Sequence, residues 1–141
     1  MNLKEFFKRD KFAELCGIKL VEISPGSAKA EMVVTDDHLN GVGTVHGGAI
    51  FTLADLAFAA AANSYGQVTV AINVSITYIN ALTKGKITAE AREISRNPKL
   101  STYTIDVYND AGEVAAVFQG LAYQKRESLE SLLEKTKKFD G

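Results

Sequence analysis

Tryptophan is absent, cysteine occurs once and proline twice in this chain of 141 residues. The single cysteine, Cys16, can make no intrachain disulfide and no cysteine metal cluster, and its neighbours Leu15 and Ile18 mark it as a small core residue. An excess of one charge is missing too: Lys and Arg number 16 against 17 Asp and Glu, for a formal net charge of −1. With the basic residues scattered, no field is set up for a nucleic-acid backbone. No run is suited to crossing a bilayer, because the Ala-rich stretch from Ala54 to Ala62 is far shorter than the ~20 residues a spanning helix needs. Met1 to Asp10 carries charges through its hydrophobic stretch and is no signal peptide. These absences predict one soluble, cytoplasmic domain, large enough to bury a real core, with neither membrane nor nucleic acid as partner.

Hydrophobic periodicity supplies the elements. Leu3, Phe6 and Phe7, then Phe12 and Leu15, predict one or two short helices. Ile18 to Ile23 reads as a strand turned by Pro25-Gly26, and Ala28, Ala30, Met32 and Val34 alternate with polar residues in a second. A helix is predicted from about Gly47 to Ser64, ended by Gly66. Val68 to Asn80 is the clearest strand, with Val68, Val70, Ile72, Val74, Ile76 and Tyr78 on one face. Its other face carries Thr69, Asn73, Ser75 and Thr77, polar yet uncharged, as expected where a ligand or another subunit is met. Further strands are predicted over Lys86 to Ile94, Leu100 to Tyr108 and Glu113 to Gln124, the last two joined by an Asn109-Asp110-Ala111-Gly112 hairpin turn. Leu129, Leu132 and Leu133 mark a short amphipathic helix. The predicted class is α+β: about six antiparallel strands wrapped around one long central helix.

The segment from Asn40 to Asp55 carries the chemistry. Glycines and histidines crowd a loop, and an almost wholly apolar helix follows, broken by one carboxylate, Asp55. Such a helix is buried on all sides, and a lone carboxylate inside it is costly unless it is paired, protonated or used. The Gly47-Gly48 pair at the helix entrance leaves backbone N–H groups facing any oxygen that approaches. Donors for an oxyanion beside a perturbed acid suggest acyl transfer.

Asn40-Gly41-x-Gly43-Thr44-x-His46-Gly47-Gly48, followed by Leu53-Ala54-Asp55, resembles the signature of the hotdog-fold acyl-CoA thioesterases, with the phenylacetate-pathway (PaaI-type) group as the nearest branch. The resemblance covers residues 12 to 124 and includes Ile76-Thr77-Tyr78. It implies a hotdog domain over residues 1–125, with 126–141 as a helical extension. It implies Asp55 as general base or nucleophile, the Gly47 N–H as the donor polarising the thioester carbonyl, and Asn40 as the residue orienting carboxylate or water. His46 holds the loop or acts as base. Gly48, Asn73, Ser75 and Thr77 are candidate substrate contacts, and Arg96 and Lys99 candidate contacts for the coenzyme A phosphates. Some relatives carry a serine where Ala71 aligns, and this chain lacks that hydroxyl. A homodimer or homotetramer is implied, with acyl-CoA as substrate and no cofactor beyond its coenzyme A portion.

Eight residues separate Gly47 from Asp55, about 12 Å along a helix axis at ~1.5 Å per residue. One carbonyl carbon cannot lie within ~3 Å of both. Either they do not cooperate, or the Gly47 of one subunit faces the Asp55 of another across a twofold axis. A thiolate leaves readily, so the reaction needs no metal. Asp36, Asp37, His38 and His46 match no metal-ligand motif. Two other functions compete. A hydratase or dehydratase on the same fold uses a catalytic histidine, often in a proline-rich motif that is missing here. A non-catalytic acyl-CoA sensor would have to signal through a separate partner, residues 1–16 being too short for a DNA-binding region.

Overall fold

The computed structural model describes residues 1–140 and their side chains as far as Thr136; of the expected extension, residue 141 lies outside the described residues. Two short helices open the chain, α1 (Leu3–Phe7) and α2 (Lys11–Leu15). Each starts on a side-chain cap: Asn2 accepts the Glu5 N–H, and Asp10 accepts the Ala13 N–H. Strands β1 (Ile18–Ser24) and β2 (Ser27–Val33) form a hairpin, and a single 3-10 turn over Asp36–His38 leads into the glycine loop. Helix α3 (Gly47–Ala62) follows, then β3 (Gln67–Tyr78), β4 (Lys86–Arg96), β5 (Leu100–Tyr108), β6 (Val114–Ser128) and α4 (Leu129–Asp140).

All strand pairs are antiparallel, in the order β1-β2-β4-β5-β6-β3. The strand that follows the helix therefore closes the far edge of the sheet, paired to the last strand of the chain. Helix α3 packs across all six strands, the hotdog arrangement that the sequence resemblance implied. Nine of its residues are buried, among them Leu53, Ala54, Ala57, Ala60 and Ala61, and these small side chains let the helix lie close to the sheet. An apolar helix covered by a sheet on one side still has a stripe left over. Gly48, Thr52, Asp55 and Ala59, spaced three and four apart, form a stripe that the protomer's own sheet leaves partly open.

Strand β3 departs from the expected alternation. Its register against β6 slips between Ala71 and Asn73, and a bulge there turns the strand over. Val70 (37% exposed) and Ile72 (54%) face outward, whereas Val74 and Ile76 pack on the core. Strand β6 also continues to Ser128, so the first residues of the expected helical extension are sheet, and α4 begins at Leu129. No helix among the described residues is long and apolar enough to cross a membrane.

Candidate active site

The loop before α3 is organised by Asn40. Its side-chain oxygen accepts the Val42 and Thr44 N–H groups, each at 3.1 Å, and its amide nitrogen donates to Thr44 Oγ1 at 2.9 Å. Within the protomer these three bonds close the loop, and none of the Asn40 amide's hydrogen bonds goes to Asp55. Gly43 turns the chain at φ +82°, a left-handed conformation that residues with a β-carbon rarely adopt.

His46 is the N-cap of α3. Its Nδ1 accepts the Gly48 N–H at 2.8 Å, which requires the neutral ring to carry its proton on Nε2. The His46 carbonyl accepts from Ala49 and Ile50 at 2.9 and 3.3 Å, and its own N–H donates to the His38 carbonyl at 2.7 Å. Of the N–H groups in the first turn, that of Gly47 finds no partner among the described residues. It is a free donor at the positive end of a 16-residue helix.

The two glycines have separate physical reasons. A β-carbon on Gly48 would stand 3.0 Å from His46 Nδ1, obstructing the cap. One on Gly47 would stand 3.1 Å from the Tyr78 ring, which leans over the helix entrance.

Asp55 sits mid-helix on the partly open stripe. Burial pushes its carboxyl above the ordinary value, and the nearby charge of Asp10 pushes it further. No hydrogen bond opposes the rise in the protomer. Asp10, the cap of α2, is a neighbour of Asp55 that the sequence analysis did not name, and nothing local in the chain marks the relation.

The remaining candidates lie elsewhere. Asn73 and Ser75 line a shallow depression on the outer face of the sheet, with Thr102, Thr104 and Gln119 around them. Thr77 is exposed on the same edge strand, opposite Val117 of β6. Arg96 stacks over the Tyr65 ring at 3.8 Å, just beyond the C-terminal end of α3, and donates to Gln124 at 2.8 Å. Lys99 is exposed in the β4–β5 connection. His38 is buried, with Nδ1 accepting from Thr35 N–H and Nε2 donating to the Cys16 carbonyl, so both ring nitrogens serve the fold. Among the described residues no group of three or more His, Cys, Asp or Glu is placed to hold a metal ion.

Six antiparallel strands packed on one central helix place the molecule in the hotdog class, the fold of the thioesterases. A profile of the thioesterase superfamily matches residues 42–116; the chain belongs to that family, and its class of activity is thioester hydrolysis. A relative in Archaeoglobus fulgidus is 46% identical over 122 residues, covering 86% of this chain and 79% of the relative. The acyl-coenzyme A thioesterase PaaI of Escherichia coli is 32% identical over 124 residues, 87% of this chain and 89% of the relative. The solved structure of that PaaI protein, from the phenylacetic acid degradation operon, superposes with a TM-score of 0.85 and covers 88% of this chain and 91% of the other.

Proposed function

We propose that this protein hydrolyses the thioester of a small, aryl or medium-chain acyl-CoA at two equivalent sites, each shared between two copies of the chain. In each site Asp55 of one protomer activates water or attacks the carbonyl carbon. The Gly47 N–H of the other protomer takes up the negative charge that develops on the carbonyl oxygen. Coenzyme A thiolate leaves without help from a metal or a strong acid.

The observation that carries this reading is the separation of the two groups. Gly47 opens α3 and Asp55 lies on the same helix, so they stand about 12 Å apart along its axis. A protomer alone cannot bring both to one carbonyl, and a twofold axis can. Two features support the second copy. Strand β3, 12 residues long, is the edge of the sheet and carries exposed Val70 and Ile72. The stripe of α3 that holds Asp55 also lacks full cover. Asn40 keeps a candidate role toward the partner's site through the loop it shapes, as do Arg96 and Lys99 toward the coenzyme A phosphates.

A cleft of about 570 Å³ between α1, α2 and β1 reaches Leu56, the neighbour of Asp55, over a floor of Phe7, Ala13, Ile18 and Leu20. Seven charged residues, Lys4, Asp10 and Lys19 among them, complete the lining; the size and the apolar floor suit an aryl or medium-chain acyl group.

The test is thiol release from short, medium, long and aryl acyl-CoAs by wild type and Asp55→Ala. Hydrolysis lost in a folded Asp55→Ala supports the mechanism and names the acyl class. Equal rates in the two proteins remove Asp55 from it.

A further inference from the structure

A donor carried on a pair of glycines needs anchors from outside, since glycine leaves its own backbone free. One anchor is His46 Nδ1, supplied by the adjoining residue. The other comes from the end of β3, where the Tyr78 hydroxyl donates to the Gly47 carbonyl at 2.9 Å. The rim of the same ring rests on Gly47: both Tyr78 Cζ and its hydroxyl oxygen would lie 3.1 Å from a β-carbon placed there.

The two anchors act on a single amide. The Gly47–Gly48 peptide accepts the Tyr78 hydroxyl on its carbonyl and donates its N–H to His46 Nδ1 at 2.8 Å. Hydrogen bonds at opposite ends of one amide polarise it in the same sense and strengthen each other. That peptide cannot rotate without breaking both. The preceding peptide, which carries the Gly47 N–H, is held through its own carbonyl by Ala49 and Ile50. Between them these bonds leave the Gly47 N–H one direction in which to point.

Core packing does not account for Tyr78. The residue is 49% exposed, so burial of its ring contributes little. Desolvation holds its phenol above the ordinary value, which keeps the hydroxyl protonated and able to donate.

We infer that Tyr78 is a positioning residue: its hydroxyl and ring clamp the Gly47–Gly48 peptide against His46 and so aim the Gly47 N–H at the thioester carbonyl oxygen. The inference rests on the reading of Gly47 as the oxyanion donor. It assigns two separable contributions to one side chain, the hydrogen bond and the ring contact.

Tyr78→Phe keeps the ring on Gly47 and removes only the hydroxyl, whereas Tyr78→Leu removes both. Losing an oxyanion donor outright costs about a hundredfold or more in turnover, and misaiming one costs part of that. The expected result is a fall in kcat of about tenfold for Tyr78→Phe and a larger one for Tyr78→Leu. KM for the acyl-CoA and the melting temperature of Tyr78→Phe stay close to wild type. Amide exchange at Gly48, followed by NMR, speeds up in both variants, because the Gly47–Gly48 peptide has then lost the anchor on its carbonyl and its N–H leaves His46 Nδ1 more often. A merely structural tyrosine would alter melting and leave kcat per folded molecule intact. If Asp55→Asn abolishes hydrolysis while Tyr78→Phe and Tyr78→Leu keep kcat within twofold and Gly48 exchange unchanged, the clamp is wrong and the active-site reading stands. If Asp55→Asn is as active as wild type, the reading itself falls and the clamp with it.

Discussion

Phe58 stands end-on against Gly120, so close that a β-carbon on Gly120 would fall 2.6 Å from its Cζ and under 3 Å from both adjacent ring atoms. The ring is 2% exposed and is flanked by Tyr103 and Phe118 at centroid distances of 5.6 and 5.7 Å, leaving it nowhere to retreat. Gly120→Ala therefore overpacks the centre of the helix–sheet interface, at a cost of about 1–3 kcal/mol. Thermal unfolding should show a melting temperature lower by roughly 3–10 °C. Adding Phe58→Leu should recover part of the loss, since the two positions share one volume.

The proposed mechanism ties the pH profile to Asp55 and Asp10. In it Asp55 works as base or nucleophile only when ionised, so activity should rise with pH through its pKa. Burial first, and Asp10 second, set that value above the ordinary carboxylate range. Asp10→Asn removes the second cause and keeps a competent cap for the Ala13 N–H. The acidic limb of kcat/KM against pH should move to lower pH in Asp10→Asn, with the plateau rate preserved. A limb that stays in place would show that Asp10 does not act on Asp55 in the assembled enzyme.

Stability should respond in the opposite sense to activity. A carboxyl whose folded pKa is raised binds its proton more tightly in the fold than in the unfolded chain. Its ionisation then erodes stability as pH rises from the unfolded value, ~3.9, through the raised folded one. Asp55→Asn has no such proton to lose. Melting curves taken from acid to neutral pH should show the variant gaining on wild type as pH rises, and melting above it at pH 7. A wild type that is equally or more stable there would mean that Asp55 finds a stabilising partner in the assembly.

Mixing inactive chains tests the shared site directly. Asp55→Asn lacks the acid. Gly47→Pro lacks the donor while placing proline at the first helical position, which suits its backbone after the extended His46, although its β-carbon pushes the Tyr78 ring aside. With shared sites, half of randomly reassorted dimers are mixed, and each restores one of its two sites. About a quarter of wild-type activity should return. Sites contained within single chains would return none.

Arg96→Ala separates two uses of one guanidinium. Its stacking on Tyr65 and its bond to Gln124 should cost about 1 kcal/mol when lost, read as a lower melting temperature. A rise in KM for acyl-CoA beyond that would place Arg96 against the coenzyme A phosphates as well.

The elements and their class were legible because they follow local periodicity: alternation in β2, an almost wholly apolar run in α3, and the Asn109-Asp110-Ala111-Gly112 turn before β6. The β3 bulge was not legible. Val68 to Tyr78 alternates cleanly in the chain, and the slip at Ala71–Asn73 arises from pairing with β6, more than 40 positions away. The site divides the same way. The residues of the helix entrance stand together in sequence, whereas the Tyr78 contact with Gly47 spans 31 positions and the influence of Asp10 on Asp55 spans 45. Such relations are created by closure of the sheet and leave no local trace.

That closure gives the chain an order of assembly. Tyr78 reaches Gly47 only once β3 is zipped against β6, where it pairs with Ala116. Strand β6 is the last strand to be synthesised, and distant pairings of this kind form slowly. Helix α3 can therefore exist, with Asp55 already on it, before its first peptide has been aimed. In a refolding experiment, the helical signal of circular dichroism should return first and catalytic competence later, with turnover serving as a clock for the final strand.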